Sequence, residues 1–232
     1  MTRAKVIEEL ANHILAIKRN HPVRVAIDGV DGAGKTTLAD ELAVPLQKDG
    51  REVIRASIDG FHRPEVERYQ RGEDSPKGYY LDSFDYGALR SALLGPLGLG
   101  GNLLYRTAVY DHRADEAISD VPQLAYSDAI LLFDGVFLLR PELYNDWEYR
   151  ILVNTDFRIA AQRALERIFP GAPTTPERAK LEARYERRYI PGQKLYYERV
   201  RPQELADVIM DNDELANPKL SYPPGNRWSR PF

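Results

Sequence analysis

The 232-residue chain contains no cysteine. That excludes disulfides, thiolate metal sites and cysteine nucleophiles, and it fits a reducing, cytoplasmic compartment. Excess charge is missing as well: 32 Lys+Arg stand against 35 Asp+Glu, a formal net charge of -3. With no basic surplus, composition gives no case for a nucleic-acid partner. No apolar stretch approaches the length of a membrane span, and the N-terminus lacks the unbroken apolar segment of a signal peptide. Internal repeats are absent, and low complexity is confined to the LGPLGLGG run at 94–101.

What remains is an ordinary globular composition, 43% hydrophobic and 29% charged, in a chain long enough to bury a sizeable core. The length suits one α/β domain, or one domain with a mobile lid. Val6, Leu10, Ile14 and Ile17 recur at three- and four-residue spacing, which predicts an amphipathic helix over 3–19. Short apolar runs at 23–27, 53–58, 129–133, 150–153 and 206–210 read as strands. Helical stretches at 35–47, 156–168 and 176–188 lie among them. Strands separated by helices predict a parallel sheet with crossover helices. The polar segment 63–80, rich in Gly, Pro and Tyr, reads as a long connection, functional or disordered. A proline-bearing tail, 218–232, reads as extended.

Between the first strand and the following helix stands Gly29-Val30-Asp31-Gly32-Ala33-Gly34-Lys35-Thr36, a full G-x-x-x-x-G-K-[ST] motif. Its glycines let backbone N–H groups turn inward around an anion, and the helix behind it directs its positive end at phosphate. Lys35 reaches β- and γ-oxygens, and Thr36 has the hydroxyl for Mg²⁺. The residues expected at the nucleotide are Gly29, Asp31, Gly32, Ala33, Gly34, Lys35, Thr36 and Thr37. Asp134 ends the run Ile130-Leu131-Leu132-Phe133, at the strand end where α/β sheets bind ligands. It suits a carboxylate of the Mg²⁺ shell, or else a turn residue before Gly135. Asp59 follows the second strand in Asp59-Gly60-Phe61-His62. There it suits a base for an attacking hydroxyl and a further metal contact, or again a turn before Gly60.

These segments, in this order, resemble the uridine kinase, phosphoribulokinase and bacterial pantothenate kinase superfamily, with uridine kinase-like proteins the nearest match. Asp28–Ala39 is similar to that superfamily's phosphate loop. The Asp59 segment is similar to the stretch that bears its catalytic Asp. Tyr80-Leu81-Asp82-Ser83-Phe84-Asp85, Val109-Tyr110-Asp111-His112 and Leu132-Phe133-Asp134-Gly135 resemble further family segments. The resemblance implies a P-loop NTPase-type three-layer α/β sandwich with a central parallel sheet and a helical lid over about 163–190. ATP and Mg²⁺ are the implied cofactors. Asp59, Lys35, Arg163 and Arg167 are the implied catalytic groups, the two arginines one helical turn apart on the lid. Asp59, Phe61, His62, Tyr110 and Arg113 are candidates for the acceptor pocket. Thr36, Asp134 and Asp59 are candidates for the metal. Relatives often form dimers or tetramers, which leaves room for a homo-oligomer.

The acceptor implied is a nucleoside such as uridine or cytidine at its 5′-OH. Another alcohol, such as pantothenate, a sugar or a vitamin riboside, is the alternative, as is a regulatory module that binds ATP without turnover. The stretch Gly78-Tyr79-Tyr80-Leu81-Asp82 lacks the Asp that uridine kinases place there to read a ribose diol. The basic, aromatic segment 185–193 reads either as a lid touching phosphate or base, or as a solvated helix packing its tyrosines on the core.

Overall fold

The computed structural model describes residues 1–171, 175–225 and 228. Helix α1 (Arg3–Leu15) leads into strand β1 (Val23–Gly29), and α2 (Lys35–Lys48) returns the chain to β2 (Val53–Ser57). Short helices α3 (Glu65–Arg68), α4 (Pro76–Asp82) and α5 (Tyr86–Leu89) follow. The two-residue strands β3 (Leu104–Tyr105), β4 (Tyr110–Asp111), β5 (Glu116–Ala117) and β6 (Gln123–Leu124) form small outlying ribbons. The chain re-enters the sheet at β7 (Ile130–Gly135) and β8 (Tyr149–Asn154). Helices α6 (Phe157–Ile168), α7 (Pro176–Arg184), α8 (Ile190–Val200) and α9 (Pro202–Leu205) precede β9 (Val208–Asp211) and β10 (Lys219–Ser221).

The six main strands are ordered β10-β9-β8-β1-β7-β2. All neighbours pair in parallel except β10, which runs antiparallel to β9 at the edge. The expected parallel sheet therefore carries one antiparallel strand, supplied by the tail. A hairpin return needs only a short connection, whereas a parallel partner would need a crossover.

Strand β7 sits between β1 and β2 and is covered on both faces, so every residue of ILLFDG is buried. Its alternate side chains divide between two cores. Ile130 and Leu132 join Val25 and Ile27 of β1 and Leu38 and Leu42 of α2. Leu131 and Phe133 face the other way, with Tyr80, Leu93 and Tyr196. The period of two thus builds helix layers on both sides of the sheet, a three-layer sandwich.

Three local expectations change. Helix α1 stops at Leu15 rather than 19, because the Ile17 amide bonds back to Ile14 O at 3.1 Å and tightens the last turn. The connection 63–80 is partly helical: Ser75 Oγ accepts from the Gly78 amide at 3.0 Å and Pro76 occupies the first turn of α4. The helix expected over 176–188 leaves α geometry after Arg184, passes through a π-helical turn at Tyr185–Tyr189 and continues as α8. Of the tail, 226–227 and 229–232 lie outside the described residues. Among those described, no helix is long and apolar enough to cross a membrane.

Candidate active site

Parallel pairing aligns the C-terminal ends of β1, β7 and β2, so the residues that follow them meet at one edge. The phosphate loop leaves β1 and passes into α2. Its turn requires left-handed backbone at Gly32 (φ 79°) and Gly34 (φ 95°). There is also no room for a side chain: a Cβ on Gly32 would stand 2.0 Å from Ala160 O of α6. Asn212, just past β9, donates its side-chain amide to Ala33 O at 2.7 Å and holds the loop from the other side. Lys35, 8% exposed, spans the loop, with Nζ donating to Val30 O at 2.8 Å.

Thr36 Oγ1 donates to Asp134 Oδ2 at 2.8 Å, which joins the start of α2 to the end of β7. Arg55 of β2 flanks the same carboxylate, Nη2 to Oδ1 at 3.3 Å, and also pairs with Asp40. A Thr hydroxyl beside one carboxylate is the donor set Mg²⁺ uses when nucleotide phosphates complete its octahedron. No cluster of three or more His, Asp or Glu able to hold a metal unaided occurs among the described residues. The residues present therefore fit a nucleotide-borne Mg²⁺.

Asp59 lies exposed in a short 3₁₀ turn (Ile58–Phe61) after β2, its amide held by Ser57 Oγ at 3.3 Å. The turn is fastened to the end of α4: Arg63 N bonds Ser83 O at 3.0 Å and Asp85 N bonds Phe61 O at 2.8 Å. His62 Nδ1 lies 3.0 Å from Asp59 O; a carbonyl only accepts, so Nδ1 carries the proton and Nε2 is left as an acceptor. The ring lies between Phe84 (4.6 Å) and His112 (4.5 Å, stacked). Burial, reinforced by the His112 and Arg68 charges, pushes His62 down to about 4, so it is neutral at pH 7.

Asp31 of the phosphate loop accepts from Tyr79 Oη at 3.1 Å and from Gln193 Nε2 of α8 at 3.3 Å. Burial raises its pKa, partly offset by Lys35, and the Asp59 charge adds to the rise. Behind the loop, Asp28 of β1 is wholly buried. Tyr196 Oη of α8 donates to its Oδ2 at 2.5 Å, and the Gly29 amide to Oδ1 at 2.9 Å. Burial raises the Asp28 pKa against these bonds.

These groups surround one cavity of about 840 Å³. Gly32, Gly34, Lys35, Thr36, Thr37, Asp31, Asp134, Asp59, His62, Arg163 and Arg167 all line it. Arg163 is tied down, donating to Asn212 O at 2.8 Å and Asp213 O at 2.6 Å, whereas Arg167 is exposed and its charge acts on Asp31.

Three expected acceptor residues are not among those lining the cavity. Phe61 is fully buried and packs on Phe133, because the 3₁₀ turn directs it into the core. Tyr110 is committed to the β4–β5 ribbon and to a side-chain bond with Asp115. Arg113 is exposed at the ribbon's turn, where Asp111 Oδ1 caps its amide at 2.9 Å. In their place stand Arg68, Tyr69 and Arg184, which no motif marks, together with Ser83 and Phe84 of the family-like stretch 80–85 and Arg188 of the basic, aromatic segment 185–193.

Fold and loop define a mononucleotide-binding P-loop protein. No family model matches the chain. Over 152 residues it is 29% identical to a uridine kinase of Leuconostoc citreum, covering 63% of this chain and 68% of that protein. A pantothenate kinase of Limosilactobacillus fermentum is 26% identical over 157 residues, 64% of this chain and 50% of that one. Among solved structures, one described as a possible uridine kinase from Bacillus stearothermophilus is 26% identical with a TM-score of 0.67, covering 88% of this chain and 97% of that one. In sequence and in fold the chain is similar to P-loop kinases of the superfamily that includes uridine kinases and pantothenate kinases.

Proposed function

We propose that the protein transfers the γ-phosphate of ATP, as its Mg²⁺ complex, to a hydroxyl of a small metabolite. The observation that carries this reading is the placement of Asp59 on the same cavity as Lys35, Thr36 and Asp134. A nucleotide switch needs the phosphate loop and the metal pair, but it has no use for a carboxylate on the acceptor side.

In this reading the loop amides and Lys35 hold the β- and γ-phosphates. Thr36 and Asp134 are the protein's ligands to Mg²⁺, which when bound screens charge on the phosphates. Asp59 accepts the proton of the acceptor hydroxyl as its oxygen bonds to the γ-phosphorus. The bond from that phosphorus to the β–γ bridging oxygen breaks, and ADP leaves. Arg167, on the lid helix α6, adds positive charge toward the transferred group. The lid excludes water, which would otherwise take the phosphoryl group. The similarity to uridine kinases makes uridine and cytidine the first acceptors to try.

The test is an ADP-release assay with Mg²⁺-ATP and a panel of nucleosides, sugars and hydroxy acids, against a no-acceptor control. Acceptor-stimulated turnover that Lys35→Ala abolishes supports the reading. ATP binding with no stimulation by any acceptor, or turnover that survives Lys35→Ala, overturns it.

A further inference from the structure

On the Asp59 side of the cavity three guanidinium groups surround one aromatic ring. Arg68, Arg184 and Arg188 lie 5.6, 5.2 and 4.8 Å from the centre of Tyr69. Two of them are nearly out of solvent, Arg68 at 7% and Arg188 at 2% exposure. All three line the cavity, and Nε of each is buried without a hydrogen-bond partner.

The remaining contacts of Arg184 and Arg188 position them without neutralising them. Arg184 Nη2 donates to Tyr69 Oη at 2.7 Å, and Arg188 Nη1 donates to the carbonyls of Glu73 (2.9 Å), Ser75 (3.2 Å) and Gly72 (3.4 Å). Asp115, 3.0 Å from Arg68, is the only carboxylate within ion-pair distance of the three among the described residues. Arg184 and Arg188 are one helical turn apart and repel. Burial lowers the Arg188 pKa, and the Arg184 charge adds to that. Buried cations without counter-charge are costly unless something completes them.

From Arg68, contacts lead to the acceptor side, while Arg188 also touches Tyr79, which holds Asp31 of the phosphate loop. Arg68 Nη2 reaches His112 O at 3.4 Å, His112 stacks on His62, and His62 bonds the Asp59 carbonyl. The cations that act on Asp31, in the phosphate loop, are Lys35 and Arg167. Resting on the kinase reading above, we infer that the acceptor is an alcohol carrying an anionic group, a carboxylate or a phosphate, bound by Arg68, Arg184 and Arg188. Guanidinium groups suit planar, bidentate recognition of both anions. A neutral nucleoside would leave Arg184 and Arg188 without a paired anion.

The experiment pairs each anionic acceptor with an uncharged analogue: glycerate with glyceramide, pantothenate with its amide, fructose 6-phosphate with fructose. Uridine and cytidine are included. Turnover is measured with Mg²⁺-ATP. Binding is measured separately by calorimetry with a non-hydrolysable ATP analogue, on wild type, Arg188→Gln and Arg184→Gln. The expected result is a KM at least tenfold lower for one anionic acceptor than for its uncharged partner. Arg188→Gln or Arg184→Gln should erase that ratio while leaving the KM for ATP within about threefold. The acid and phosphate arms tell the two anions apart. Turnover of an uncharged acceptor with no anionic preference overturns the inference and leaves the kinase reading standing. Arginine-dependent anion binding without turnover keeps the anion site and removes the kinase reading. If no anionic compound binds or turns over, the inference fails.

Discussion

The Thr36 hydroxyl donates to Asp134 Oδ2 at 2.8 Å, across 98 residues of sequence. Thr36 lies in the first turn of α2 and Asp134 in the last step of β7, so the contact exists only because β1 and β7 are parallel neighbours in register. If the pair ligates Mg²⁺, Asp134→Asn keeps its shape and removes its charge. The expected outcome is a fall in kcat of about 10²-fold or more, with the dependence on Mg²⁺ shifted to higher concentration. Titrating activity against Mg²⁺ in wild type and variant checks it; an unchanged Mg²⁺ curve removes Asp134 from the metal site.

Asp59→Asn removes the proposed base from an exposed position without disturbing the core. A drop in kcat of roughly 10²–10⁴-fold is expected, with ATP affinity preserved. Single-turnover kinetics beside equilibrium ATP binding separate the two effects. Equal losses in both would mark Asp59 as a binding group instead.

Tyr196→Phe tests the buried Asp28. The tyrosine hydroxyl donates to Asp28 and accepts from the Leu139 amide at 3.2 Å, so its loss strands both partners out of water. Unfolding free energy should fall by about 1–3 kcal/mol. Chemical denaturation reads this directly; a change below about 0.5 kcal/mol would mean that Asp28 is content without the bond.

His62 gives the protein a pH dependence of known sign. Its folded pKa, near 4, lies below the ordinary 6.5, so between those values the unfolded chain takes up a proton that the folded chain refuses. Stability contributed by neutral His62 is present above pH 6.5 and is lost as pH falls toward 4, on the order of 3 kcal/mol in all. Asp28 and Asp31, with raised values, act in the opposite sense, so only the difference between proteins isolates the histidine. His62→Asn should flatten the decline in melting temperature between pH 7 and pH 5; a parallel decline would place the titration elsewhere.

The nucleotide half of the site was legible because its chemistry is local. Gly32 and Gly34 are dictated by backbone angles within one turn, and Asp134 is marked by the apolar run before it. The acceptor half is assembled by tertiary packing. Arg188 reaches the carbonyl of Glu73 across 115 residues, and no periodicity encodes that meeting. Tyr110 belongs to a stretch that resembles a family segment, yet the two-residue ribbon takes it, and Arg113 at its turn, away from the cavity. The sheet was readable from its apolar runs, whereas the antiparallel β10 was not. Its three residues are exposed or half-exposed and carry no pattern of a buried strand.

Tyr79 belongs to both halves. Its hydroxyl holds Asp31 of the phosphate loop at 3.1 Å, and its ring lies 5.6 Å from the Arg188 guanidinium. A ligand that draws Arg188 toward itself therefore changes the setting of a residue that shapes the loop. Thermodynamic reciprocity makes such an effect mutual: whatever preference for nucleotide the acceptor induces, the nucleotide induces equally for the acceptor. The two substrates of such an enzyme do not bind as strangers, and an affinity measured for either one alone describes a different equilibrium from the one that operates when both are present.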